Sequence, residues 1–139
     1  GAIGSFFSIP SLNTWYAILE KPILSPPHWV FGPIWFILYT LMGVALYLVW
    51  QSAASKSMKR AATALFLIHL AVNAMWSIVF FGLHSVGGAF IVILILLLMI
   101  LWVMLTFRRI TQWAAYLLVP YFLWVLFATF LNGALLFLN

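Results

Sequence analysis

His69, Asn73, Trp76, Ser77 and Phe80 follow one another at intervals of mostly three and four residues. On a helix that spacing sets them on one face. Trp35, Tyr39, Met42 and Leu46 form a second stripe of this kind, and Tyr121, Trp124, Ala128 and Asn132 a third. The side chains offer hydrogen bonds and aromatic faces and little that can move a proton. Glu20 is the single acidic residue, so paired carboxylates, an Asp-oriented triad and a carboxylate metal site are all unavailable within one subunit. His28, His69 and His84 have no metal-site spacing, and without cysteine there is neither a thiol nucleophile nor a thiolate ligand. No Gly-rich loop opens a helix to cradle phosphate. Any reaction must therefore use the ligand's own reactivity. Tryptophan is readily oxidised, and a photosensitising ligand held against Trp35, Trp76 or Trp124 would support light-driven oxygen chemistry without an acid or a base.

Each stripe has two readings. Polar groups in lipid must face protein or water, so Asn73 is either interhelical glue or a ligand contact, and His69 is read as glue. Aromatic stripes are either plain packing or the wall of a cavity for a flat, largely apolar guest that stacks on indole faces. Convergence of three helices in one half of the bundle favours the cavity.

The elements that carry these stripes follow from composition. Of 139 residues, 68% are apolar and 5% charged, far below the charge a soluble domain needs to cover its surface, so the solvent is lipid. The expected fold is all-α, a polytopic integral membrane bundle of five helices forming one domain over 1–139. A crossing of about 30 Å takes roughly 20 apolar residues. Charge-free runs place spans at about 29–50, 61–82, 88–107 and 113–138, with a turn at 82–88 and a kink at Pro120. Residues 1–9 are apolar but half a crossing long, and read as the end of a truncated first helix. The fourth span is nearly all aliphatic and reads as a scaffold wall facing lipid or a second subunit.

The net charge of +5 comes from six cations at 21, 56, 59, 60, 108 and 109. They sit in short clusters between apolar runs, without the basic stripe that nucleic-acid binding needs. By the positive-inside rule, loops 51–60 and 108–112 are cytoplasmic, and the His84 turn and the C-terminus are non-cytoplasmic. Trp15, Trp29, Trp50 and Trp113 fall near span ends, where indoles favour the headgroup region. The proline-bearing segment from Ser8 to His28, about 10–28 at its core, is too long for an idle connection and reads as a lid over the non-cytoplasmic half.

At these residues the chain resembles the TspO/MBR family, the translocator protein or peripheral benzodiazepine receptor group. Trp15-Tyr16 with Leu19-Glu20-Lys21-Pro22 is similar to the family's WYxxLxKP segment, followed by Pro26 to Trp35, Leu38-Tyr39 and Met42-Gly43. Asn73-Ala74-Met75-Trp76, Phe80-Phe81-Gly82, Pro120-Tyr121, Trp124, Phe127-Ala128-Thr129 and Leu131-Asn132 continue the match in order. The resemblance implies a five-helix bundle, often a homodimer, whose pocket beneath the first loop binds porphyrins such as protoporphyrin IX with no required cofactor. The three stripes and the lid lead to the expectation of a tetrapyrrole-binding sensor, scavenger or regulator, with a transporter of porphyrin or other hydrophobic small molecules, or a structural membrane subunit, as the alternatives. By motif, Trp35 and Trp124 match tryptophans implicated in light-dependent porphyrin degradation, and Gly32, Ile34, Asn73, Trp76, Ala128 and Leu131 match pocket-lining positions. Tyr39, Phe80 and Tyr121 join them from the stripes. The family's sterol motif is not found in Leu135 to Asn139, so sterol binding is not expected.

Overall fold

A computed structural model describes residues 31–138. The partial span at 1–9, the lid at 10–28, and Trp15, Glu20, Lys21, His28 and Trp29 lie outside the described residues. Four helices long and apolar enough to cross a membrane follow one another, with no strand among the described residues. The chain is thus an all-α, multi-pass integral membrane protein.

Helix α1 covers Phe31–Gln51. Pro33 sits in its first turn, where a missing N–H costs nothing. Leu38, Met42, Ala45 and Val49 form its buried stripe, and Phe36, Ile37, Val44 and Tyr47 point outward. In water that outer face would be a liability; in hydrocarbon it is the solvated surface.

Helix α2, Lys56–Ser77, starts on Ser55, whose side chain accepts from the Met58 N–H at 3.2 Å. Lys56, Lys59 and Arg60 therefore lie on its first turns rather than in a loop, and Arg108 and Arg109 likewise lie in the last turn of α3. Lys59 Nζ donates to the Trp50 carbonyl at 3.0 Å, and Trp50 Nε1 donates to Thr63 Oγ1 at 2.8 Å. These bonds satisfy an end carbonyl of α1 and close the short connection.

Beyond Ser77 the helix widens into a π-helical turn, Ile78–Gly82, in which the Leu83 N–H reaches the Ile78 carbonyl at 2.9 Å. The wider turn brings the neighbours Phe80 and Phe81 both into the core. His84 then reverses the chain with φ 54°, and Ser85 caps α3 by accepting from the Gly88 N–H at 3.1 Å.

Helix α3, Val86–Ile110, departs from expectation. Its aliphatic sequence suggested a peripheral wall, yet Ala89, Ile93, Leu96, Ile100, Val103 and Phe107 form a buried seam. Their four-three alternation is the repeat that keeps one face of a helix against its neighbours. Along that seam α3 packs on α2, α5 and the short helix α4. Only the other face, with Ile91, Leu94, Ile95, Leu98 and Trp102, points outward.

The last crossing is broken. Thr111 is extended, α4 runs Gln112–Leu117, and α5 runs Val119–Leu138. The interruption falls at Leu118, not at Pro120, because Pro120 cannot donate to the Tyr116 carbonyl one turn earlier. Leu118 instead tightens onto the Ala115 carbonyl at 3.0 Å, and regular bonding resumes with Phe122 N–H to Leu118 at 2.9 Å. Ala114 and Ala115 are buried in α4, which packs against α1. Small side chains there let backbones approach.

Candidate functional site

Among the described residues, the buried His69, Asn73 and Asn132, and the buried Tyr121 and Trp76 with one polar group each, all lie on the stripes. Lipid offers no hydrogen bonds, so each must be satisfied by protein. Tyr39 Oη donates to Asn73 Oδ1 at 2.7 Å, and Asn73 Nδ2 donates to Tyr121 Oη at 2.8 Å. One asparagine of α2 thereby joins α1 to α5. The Tyr121 hydroxyl also lies 2.7 Å from His69 Nε2, and His69 Nδ1 lies 3.0 Å from the Phe66 carbonyl. A carbonyl can only accept, so Nδ1 carries the proton, Nε2 is the acceptor, and Tyr121 donates to it. The chain runs in one direction, from Tyr39 through Asn73 and Tyr121 to His69.

A second clamp stands further along. Trp76 Nε1 donates to Asn132 Oδ1 at 3.0 Å, and Asn132 Nδ2 donates to the Val86 carbonyl at 2.9 Å. Asn132 thus ties α5 to both α2 and the start of α3. Trp76 also stacks on Phe80 at 5.3 Å and meets Phe81 edge-on at 6.0 Å.

Between the two clamps, α5 presents Trp124 and Ala128, both half-buried, while Tyr121, Val125, Leu131 and Asn132 around them are buried. On α1, Trp35 is half-buried and packs on Tyr39 with ring centroids 5.6 Å apart. Each of the three helices therefore carries an indole one turn beyond its member of the tyrosine and asparagine cluster. At 1.5 Å per residue, Trp76 and Trp124 stand about 4.5 Å beyond Asn73 and Tyr121, and Trp35 about 6 Å beyond Tyr39.

The expected site residues divide by exposure. Gly32 is exposed, Ile34, Trp35, Tyr39, Trp124 and Ala128 are half-buried, and Asn73, Trp76, Phe80, Tyr121 and Leu131 are buried in protein. The polar atoms of Asn73 and His69 bond to neighbouring helices or to backbone. Sequence reasoning missed Phe81, because two adjacent residues were not expected to face the same core without the π-helical turn. It also missed the Val86 carbonyl as a partner for Asn132, for which no residue-type signal exists. The cluster holds no carboxylate or cysteine among the described residues, and the chemistry its side chains offer is hydrogen bonding, stacking, redox change at aromatic rings and proton acceptance at His69 Nε2.

Comparison with known proteins agrees with the motifs. The TspO/MBR family model matches residues 1–138. The tryptophan-rich protein TspO of Archaeoglobus fulgidus is 41% identical over 140 residues, covering 100% of this chain and 89% of that protein. The human translocator protein is 37% identical over 131 residues, covering 94% and 78%. The tryptophan-rich sensory protein of Cereibacter sphaeroides is 38% identical over 127 residues, covering 91% and 78%. On the family match over nearly its whole length and on these identities, the chain belongs to the TspO/MBR family.

Proposed function

We propose that this protein binds a flat tetrapyrrole such as protoporphyrin IX against the half-buried side chains of Trp35 and Tyr39 on α1 and of Trp124 and Ala128 on α5, and acts as a membrane sensor, scavenger or regulator of such molecules. The observation that carries the reading is the pair of hydrogen-bonded clamps on α5, at Tyr121 and Asn132, with an indole and an alanine left half-open between them. Fixed helices with one aromatic and one small residue suit a planar guest. The protein name carried by the Cereibacter sphaeroides relative, a sensory protein, agrees with this role. Light-driven degradation of the bound porphyrin belongs to the same reading, with Trp35 and Trp124 as electron donors to the excited macrocycle.

Transport is the second reading, favoured by the name of the human relative, a translocator protein. Sided uptake into vesicles separates the two. Binding itself is tested by titrating protoporphyrin IX and following tryptophan fluorescence. Saturable quenching that weakens in Trp35→Phe and Trp124→Phe, and is unchanged in the outward-facing Trp102→Phe, supports the site. Quenching that is equal in all four proteins refutes it.

A further inference from the structure

The hydrogen bond between Tyr121 and His69 has a property that the neighbouring bonds lack. Removal of one electron from a phenol makes its proton strongly acidic, so a buried tyrosine is oxidised readily only where a base stands ready to take that proton. Tyr121 already donates to the bare Nε2 of His69 at 2.7 Å. After transfer, the imidazolium carries two N–H groups, and both have partners in place: Nδ1–H on the Phe66 carbonyl and Nε2–H on the Tyr121 oxygen. The phenolic oxygen would accept from His69 and keep the bond it accepts from Asn73 Nδ2. Both protonation states keep these hydrogen bonds without moving a heavy atom. Tyr39 is the contrast, because its hydroxyl donates to an amide oxygen, and an amide does not hold a proton.

We propose that Tyr121 and His69 form a redox-active tyrosine and histidine pair that refills an oxidised indole at Trp124. Trp124 lies three residues along the same helix, one turn away and within short electron-transfer range. The balanced step begins with an indole radical cation made by a one-electron oxidant, an excited macrocycle or a ruthenium(III) polypyridyl complex. Trp124 gains one electron and returns to the neutral indole. Tyr121 loses that electron and its hydroxyl proton, which passes to His69 Nε2, leaving a neutral tyrosyl radical beside an imidazolium. One-electron reduction of the tyrosyl radical by an added donor such as ascorbate would return the proton from His69 Nε2 to the phenolic oxygen. The excited macrocycle as natural oxidant rests on the tetrapyrrole reading above; the pair itself does not.

The test uses the full chain in lipid nanodiscs. No cysteine is present, so Leu123→Cys, at an exposed position beside Trp124, accepts a single ruthenium photo-oxidant. After flash oxidation and freezing, electron paramagnetic resonance is expected to show a tyrosyl radical. In Tyr121→Phe that signal falls to background and a tryptophanyl signal takes its place. In His69→Gln, where the amide accepts a hydrogen bond but not the proton, the tyrosyl signal also falls to background. Tyr47→Phe and Tyr116→Phe, at exposed positions, retain it. Chain labelled with nitrogen-15 histidine but carrying no site substitution other than the attachment cysteine is expected to show a histidine nitrogen coupled to the radical, so the result does not depend on the folding of the site variants. A native radical that is tryptophanyl only, a tyrosyl signal that survives Tyr121→Phe, or a tyrosyl without histidine coupling overturns the proposal. Replacing ruthenium by protoporphyrin IX and light separates the two ideas: a tyrosyl from ruthenium alone upholds the pair and counts against the porphyrin reading.

Discussion

At the scale of single residues, the polar atoms inside the bundle are few and fully engaged, which makes each a sensitive point. Asn73→Leu would take the acceptor from Tyr39 and the donor from Tyr121 while leaving both hydroxyls in place. Interhelical hydrogen bonds in lipid contribute about 0.5–2 kcal/mol each. Loss of about 1–2 kcal/mol is expected in reversible unfolding with increasing SDS in mixed micelles, and an unchanged transition would show that the cluster does not hold the helices together. The stripes themselves were legible, because a period of three to four places His69, Asn73 and Trp76 on one face whatever they touch. Their partners were not. Tyr121 is 52 residues from His69 in sequence, and no local pattern says which of two facing helices supplies the hydroxyl.

At the scale of elements, close approach of helices depends on what the residue at the crossing can fit. Gly133 lies where α5 meets α3, and a Cβ built there comes 3.1 Å from Phe90 Cε2. Gly133→Val is expected to force these helices apart and to destabilise the bundle by about 1–3 kcal/mol. Gly43→Ala, with nothing within 4 Å of the added carbon, is expected to be neutral or to stabilise by up to about 1 kcal/mol. The same SDS transition measures both, and equal effects would contradict the packing described. Helix positions were legible from apolar runs and prolines, since those set where a crossing fits. The seam of α3 was hidden by its uniformity: when every residue is aliphatic, hydropathy does not distinguish the face toward protein from the face toward lipid. The π-helical turn at Ile78–Gly82 and the shift of the last break to Leu118 come from backbone hydrogen bonding, which residue type signals only near Pro120.

At the scale of the whole molecule, the five described cations gather at one end of the bundle, at the start of α2 and the end of α3, and the opposite end around His84 carries none of them. By the positive-inside rule this asymmetry leads to the expectation that the basic end faces the cytoplasm. With no native cysteine to interfere, Ser57→Cys is expected to react with an impermeant maleimide only after cells are opened, and Ser85→Cys in intact cells; the reverse pattern would invert the orientation. The membrane class was plain from composition, because seven charges in 139 residues leave no soluble alternative. The site was legible as a set of faces and not as a shape, since the sequence does not show that hydrogen bonds clamp α5 at Tyr121 and Asn132 while Trp124 and Ala128 stay half-open. Tetrapyrrole binding between α1 and α5 is decided by an experimental structure of the protein with protoporphyrin IX bound in a bilayer mimetic. The macrocycle is expected in van der Waals contact with both Trp35 and Trp124, alongside Ala128 and next to the Tyr39 and Tyr121 cluster. A macrocycle lodged instead on the outward face of α3, or one that touches neither indole, would contradict this placement.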